Sequence, residues 1–128
     1  MIVSHKYKLI FIHIGKTGGD AISFKLKSFL ELDKGDIFVE QKEKHNFFYK
    51  HATGAEVRWA FAEIGWNWED YFSFLIIRDP FEIMYSDYWY HKYLGFLHGE
   101  PKLGIKDYDW YLKCWETRNM TLDEYSQK

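Results

Sequence analysis

Two short runs of almost unbroken apolar residues stand out in the chain. The first, at residues 9–14, reads Leu-Ile-Phe-Ile-His-Ile and stops at a glycine, and the second covers residues 71–77. Runs of this length without polar alternation are typical of strands that are buried on both faces, as in a parallel sheet. A third and shorter apolar stretch, at residues 37–39, predicts a further strand.

Between these runs, apolar residues recur at the spacing of helices. One stripe follows the first run, and another follows Thr53. Thr53 and Glu56 have the spacing of a capping box, in which two side chains satisfy free amides at a helix start, and Gly65 is placed to end that helix. The first stripe consists of Ile22, Leu26, Phe29 and Leu30.

The second long apolar run leads directly into another helix signal. Asp79 and Pro80 predict an N-cap followed by the first helical residue, with Glu82 in the first turn. A last helix is predicted between Tyr108 and Trp115, and the polar tail after about residue 116 is expected to fray. Because strands alternate with helices, we expect an α/β fold. The prediction is one three-layer, P-loop-like domain over residues 1–128, with a short parallel sheet flanked by helices.

Composition narrows the range of functions. The chain is 47% hydrophobic and 21% aromatic, which excludes a disordered protein. Its net charge of −2 gives no case for nucleic acid or an anionic membrane as a partner, so any anion site must be local. Cys114, the single cysteine, cannot form an internal disulfide, and no Cys/His grouping has metal spacing, so no metal is expected.

We expect neither a signal peptide nor a membrane span in this chain. The first six residues lack the apolar core of a signal peptide, and no apolar run approaches the length of a membrane span. We therefore expect a cytoplasmic protein.

The strongest chemical signal lies directly after the first apolar run. Here the chain reads Gly15-Lys16-Thr17-Gly18-Gly19 and then enters the first predicted helix. Glycines let backbone amides converge, and a helix start adds free N–H groups and a positive dipole end. Lys16 adds a full positive charge, so the sequence predicts an anion site.

One family of anion loops fits these residues only in part. The P-loop of kinases and ATPases needs a glycine five positions before the Gly-Lys-Ser/Thr element. That position is Ile10, inside the predicted strand, so the wide phosphate-wrapping loop has no room. A kinase-like phosphotransferase, with Thr17 as a magnesium ligand, is kept as an alternative.

Residues 11–19 resemble instead the 5′-phosphosulfate loop of the sulfotransferase family, in which an apolar strand precedes Pro-Lys-Thr-Gly-Gly/Thr-Thr-Ser. The resemblance implies 3′-phosphoadenosine 5′-phosphosulfate as co-substrate, held by the loop amides and Lys16. It also implies that Lys16 stabilises charge on the bridging oxygen as the sulfuryl group leaves, which is electrostatic catalysis aimed at developing charge.

A second family resemblance lies downstream. Arg78-Asp79-Pro80-Phe81-Glu82, followed by Ser86 and Tyr88, is similar to the 3′-phosphate motif of sulfotransferases and lies at the expected strand-to-helix junction. The resemblance implies that Arg78 and Ser86 bind the 3′-phosphate. An arginine suits this role because its planar fork matches phosphate oxygens.

The segment between the motifs resembles the carbohydrate-type branch of the family, at 51–53 and 68–72. The acceptor is therefore expected to be a hydroxyl of a small molecule or carbohydrate. A general base should take the acceptor proton, and histidine suits this near neutral pH. His51 is the first candidate for this base and His45 the second, while His13 is expected to be a hydrogen-bonded structural residue.

The chain departs from the family pattern at three positions, and two of these, Asp20 and Ile83, keep a further alternative open. Gly15 replaces the usual proline, Asp20 follows the glycines where the family has a hydroxyl residue, and Ile83 replaces a second arginine. Asp20 either repels a bound anion or turns outward to cap the helix, and we favour the outward pose. The alternative is a degenerate nucleotide-binding or interaction protein that keeps the fold without turnover.

Overall fold

The computed structural model of the protein describes residues 1–30, 36–38, 48–101 and 108–128. These residues form two units, Met1–Ile77 and Arg78–Lys128. The expectation of one sulfotransferase-like domain over the whole chain stays a prediction.

A mixed sheet forms the centre of the first unit. Its strands are β1 (Ile2–Ser4), β2 (Leu9–Ile12), β3 (Ile37–Phe38) and β4 (Phe72–Leu75), in the order β3-β1-β2-β4 within the described part of the chain. The strands β2 and β4 run parallel, whereas β1 is antiparallel to both β2 and β3. The predicted α/β class is confirmed. The predicted short parallel sheet is found only in the pair of β2 and β4, because β1 pairs antiparallel with both β2 and β3.

Two helices of this unit begin where the sequence predicts them. They are α1 (Gly19–Leu30) and α2 (Gly54–Glu63). The capping box of α2 is confirmed, since the Thr53 hydroxyl accepts from the amide of Glu56 at 3.3 Å and the Glu56 carboxylate accepts from the amide of Thr53 at 2.7 Å. Beyond α2, Gly65 has a φ of +77°, a left-handed turn that glycine adopts without a Cβ clash.

The strand β2 is buried on both faces, as its unbroken apolar run predicts. Ile10 and Ile12 pack in one cluster with Phe61 of α2. Phe11, on the opposite face, packs in a second cluster with Leu30 of α1. Burial on both sides fixes the strand firmly, and the loop that follows therefore starts from a rigid support.

The second unit consists of helices in its described residues: α3 (Pro80–His98), α4 (Tyr108–Thr117) and α5 (Leu122–Ser126). The predicted cap of α3 is confirmed, because the Asp79 carboxylate accepts from the amides of Phe81 and Glu82 at 2.9 and 3.2 Å. Among the described residues, no helix is both long and apolar enough to cross a bilayer.

The tail after residue 116, which was expected to fray, contains α5. Thr121 and Glu124 form a second capping box there. The hydroxyl of Tyr125 also donates to the Asp87 carboxylate at 2.5 Å and ties α5 to α3. The capping pair and this side-chain bond are the contacts that favour a helix in this short polar segment.

We predict that Gly95→Ala destabilises the second unit by about 3 kcal/mol or more, because overpacking against a fixed backbone is costly. An added Cβ would lie 2.1 Å from the carbonyl oxygen of Cys114 on α4. Urea denaturation followed by tryptophan fluorescence measures the loss.

The control is Gly99→Ala, where the added Cβ meets nothing within 4 Å and only the backbone conformation opposes it. Because the φ of +69° and ψ of −164° lie in a region that is essentially restricted to glycine, that change should cost about 1–3 kcal/mol without any steric contact with α4. In an open helix, alanine is more stable than glycine by up to about 1 kcal/mol. A stabilised Gly95→Ala variant would therefore contradict the predicted close packing of α3 on α4.

Candidate anion-binding site

The loop between β2 and α1 is a tight turn with an unusual backbone. Lys16 has a φ of +63° and Gly18 a φ of +80°, so a lysine occupies the left-handed region that disfavours side chains. The Thr17 hydroxyl donates to the carbonyl of Ile14 at 2.8 Å, and the amide of Ile22 donates to the carbonyl of Gly18 at 3.3 Å, which begins the helix. Backbone strain of this kind concentrates at functional sites.

The turn is pressed directly onto the ring of His13. A Cβ added to Gly19 would lie 2.0 Å from Cδ2 of His13, so only glycine fits at the start of α1. His13 itself is buried, with 3% of its surface exposed. Gly19 is therefore required because the His13 ring approaches its backbone closely. The sequence shows a glycine at this position but not the contact that requires it.

This arrangement is chemically suited to an oxyanion. The first amides of α1 point out of the helix without intrahelical acceptors, and the positive end of the helix dipole lies at the same place. The half-buried side chain of Lys16 adds positive charge in the adjacent turn. All five loop residues predicted to bind the donor lie in this turn or at the helix start, namely Gly15, Lys16, Thr17, Gly18 and Gly19.

His51 lies beside the loop, although 35 residues separate it from Lys16 in the sequence. A Cβ at Gly15 would lie 3.8 Å from Cε1 of His51. The Nδ1 atom of His51 is 3.0 Å from the carbonyl oxygen of His13. Because a carbonyl oxygen only accepts, Nδ1 is the donor in this contact, and in the neutral ring the lone pair is then on Nε2. His51 is exposed, so this lone pair is positioned to accept a proton beside the loop.

The second base candidate, His45, lies outside the described residues. Of the predicted site residues in the first unit, the structure therefore describes the loop residues 15–19 and His51.

Asp20 has a partner that sequence reasoning missed. Its carboxylate lies in the first turn of α1, and Nζ of Lys50 is 2.6 Å from Oδ1. Burial alone would raise the pKa of the Asp20 carboxyl, but the hydrogen bond and ion pair with Lys50 hold that pKa below its usual value. The expected capping role is replaced by this ion pair. No sequence signal links the two, because 30 residues separate them.

His13 is held neutral by its surroundings. Burial lowers the pKa of its imidazole to about 4, and neighbouring positive groups act in the same direction. Among the described residues, Nδ1 of this ring has no hydrogen-bond partner, so protonation there would leave a buried donor unsatisfied. The burial fits the expectation of a hydrogen-bonded structural histidine, but among the described residues Nδ1 of the ring has no hydrogen-bond partner.

The remaining predicted residues lie in the second unit. Nε of Arg78 donates to the carboxylate of Glu82 at 2.8 Å, which orients the guanidinium at the start of α3. Ser86 is half-buried further along the same helix, and Ile83, at the family's second arginine position, is also half-buried. Ser86 therefore lies on α3, and Arg78 directly precedes the Asp79 cap of the same helix.

Comparison with known proteins gives one match. A model of the sulfotransferase family matches residues 1–102, which include both the loop and the motif that begins at Arg78. No curated protein and no solved structure matches the chain.

We predict that lowering the pH reduces the free energy of unfolding of the first unit, because His13 is protonated less readily in the folded than in the unfolded state. The unfolded chain takes up a proton near pH 6.5 and the folded chain only near pH 4, so the unfolded state binds more protons between these values. The free energy of unfolding therefore falls as the pH falls through this window, by up to about 3 kcal/mol. Urea titrations at pH 7 and pH 4.5 measure the change.

The matched variants are His13→Gln, which should remove this part of the pH dependence, and His98→Gln on the exposed end of α3, which should leave it unchanged. Proton NMR of the imidazoles gives an independent reading. A His13 titration midpoint near 6.5 would contradict the burial argument.

Proposed function

Because the chain belongs to the sulfotransferase family, we propose that it transfers a sulfuryl group from 3′-phosphoadenosine 5′-phosphosulfate to a hydroxyl group of a small molecule or carbohydrate. Family membership supports sulfuryl transfer. The choice of donor is supported by the loop at 15–19, and the acceptor class by the segments at 51–53 and 68–72.

The observation that carries the proposal is the placement of His51. The Nδ1 atom of His51 lies 3.0 Å from the His13 carbonyl oxygen and its Cε1 lies beside Gly15, which leaves Nε2 as the nitrogen that we propose accepts a proton near the candidate anion-binding turn. An anion site together with an oriented base is what transfer from an anionic donor to a hydroxyl requires.

The chemistry follows from these groups. Nε2 of His51 takes the proton of the acceptor hydroxyl while the oxygen forms a bond to sulfur. The bond between sulfur and the bridging oxygen breaks, and adenosine 3′,5′-bisphosphate leaves with the electron pair. Lys16 and the first amides of α1 stabilise the charge that develops on the bridging oxygen.

Arg78 and Ser86 are proposed to bind the 3′-phosphate. The guanidinium of Arg78 makes a charge-assisted bond to Glu82, and its planar fork is of the kind that matches phosphate oxygens. This assignment rests on the resemblance of the motif, and it predicts a preference for a nucleotide with a 3′-phosphate.

Calorimetry with adenosine 3′,5′-bisphosphate and with magnesium ATP separates the candidate functions. Binding of the bisphosphate, followed by transfer to a hydroxyl acceptor, supports the proposal. Binding of magnesium ATP alone selects a kinase-like phosphotransferase, and binding of the bisphosphate without transfer to any acceptor selects a degenerate member of the family.

We predict that Lys16→Ala weakens bisphosphate binding about 10- to 100-fold, since a charge-assisted phosphate contact is worth about 1.5–3 kcal/mol. The control is Lys25→Ala, on an exposed position of α1. Unchanged affinity of the Lys16 variant in calorimetry would remove the loop from the donor site.

We predict that His51→Ala keeps bisphosphate affinity but slows transfer about 10²- to 10⁴-fold, the range for loss of a positioned general base. Steady-state rates at saturating donor measure the effect, with His98→Ala as the matched histidine control. A fully active His51 variant would exclude this residue as the base and make His45 the next candidate.

A further inference from the structure

Asp20 presents an electrostatic problem to an anion-binding loop. Its carboxylate lies in the first turn of α1, immediately after the glycine pair. Two like charges 4 Å apart repel by about 4 kcal/mol at an effective dielectric constant of 20. Asp20 is 79% exposed, so solvent reduces this figure, but the sign still opposes an anionic donor.

Lys50 is positioned to offset the negative charge of the Asp20 carboxylate. Its Nζ atom is 2.6 Å from Oδ1 of Asp20, and only 24% of its side chain is exposed. The turn that carries it is fixed by the bond from the amide of Ala52 to the carbonyl of Tyr49 at 3.1 Å. Its neighbour His51 is bound to the His13 carbonyl. The ammonium group is therefore presented to Asp20 by an ordered backbone.

A second ion pair of the same unit shows the contrast. Arg58 and Glu69 approach to 3.1 Å, with 67% and 69% of their side chains exposed. Such exposed pairs contribute little, because water screens them and two mobile side chains must be ordered. The Asp20–Lys50 pair differs because its cation is largely covered, and because its anion stands at the candidate site.

We propose that Lys50 is a specificity-determining residue that acts through Asp20: by neutralising this carboxylate, it allows the loop to bind an anionic donor. The inference rests on the proposed function, in which this loop holds the phosphosulfate. Lys50 is a positioning residue in this account and is not required to touch the nucleotide. The pair replaces the uncharged hydroxyl residue that the family pattern has at this position.

A double-mutant cycle of Lys50→Met and Asp20→Asn tests the proposal, since interacting charges give non-additive effects. Lys50→Met should weaken adenosine 3′,5′-bisphosphate binding about tenfold, because it removes the cation that is ion-paired with the carboxylate. Asp20→Asn should bind as tightly as the parent or tighter, because it leaves a cation at the site. The double variant should return to within about threefold of the parent, and added salt should shrink all differences.

Other outcomes overturn the proposal. Parent-like affinity of Lys50→Met would show that the charge of Lys50 does not matter. A double variant as weak as Lys50→Met would show that Lys50 acts without Asp20. Weakened binding in Asp20→Asn would assign the pair a structural role. The matched control, Arg58→Met with Glu69→Gln, should bind like the parent, and thermal unfolding checks that every variant is folded.

A parallel titration with inorganic pyrophosphate distinguishes failure of the inference from failure of the proposed function. If the parent binds pyrophosphate but not the bisphosphate, the donor assignment is wrong, and the same cycle measured with pyrophosphate decides the role of Lys50. If the parent binds neither anion, the loop is not an anion site and the inference falls with it.

Discussion

The contact between the ring of His13 and the backbone of Gly19 constrains everything around the loop. His13 continues the chain from β2, which is buried on both faces, and Gly19 begins α1. Their close approach leaves no room for a Cβ, so it fixes how the strand meets the helix. The carbonyl of the same histidine accepts from His51. One buried residue therefore positions both the helix start and the exposed imidazole.

Charge at the loop depends on lysines rather than histidines. Burial lowers the pKa of His13 to about 4, so this ring contributes no charge at neutral pH. Lys16 lies in the turn, and Lys50 is paired with Asp20. The positive side chains that the structure places at this loop are therefore those of Lys16 and Lys50.

The predictable parts of the structure are those with local signals. The capping box of α2, the Asp79 cap of α3 and the strand β2 are each marked by residues that are neighbours in the chain. The missed parts depend on distant residues or very short segments. The strand β1 has only three residues, which are too few to show a periodic pattern. Because this strand pairs antiparallel with β2, the sheet is mixed, whereas a parallel sheet was predicted.

The candidate site divides in the same way. The glycine-rich loop can be recognised from five consecutive residues. His51 was identified as a candidate through the family resemblance. The pairing of Asp20 with Lys50 joins segments 30 residues apart, and nothing in either segment points to the other. Such a pair becomes visible only when the fold brings the start of α1 against the turn before α2.

The left-handed backbone at Lys16 has a consequence for how this protein can evolve. Glycine, or to a lesser degree asparagine, adopts such a conformation at lower cost, so replacing the lysine would release about 1 kcal/mol of strain. The chain thus keeps a cation at a position where its own backbone prefers another residue. Selection for thermal stability alone should therefore replace Lys16 early. A lineage of variants that retains the lysine would indicate selection for ligand binding.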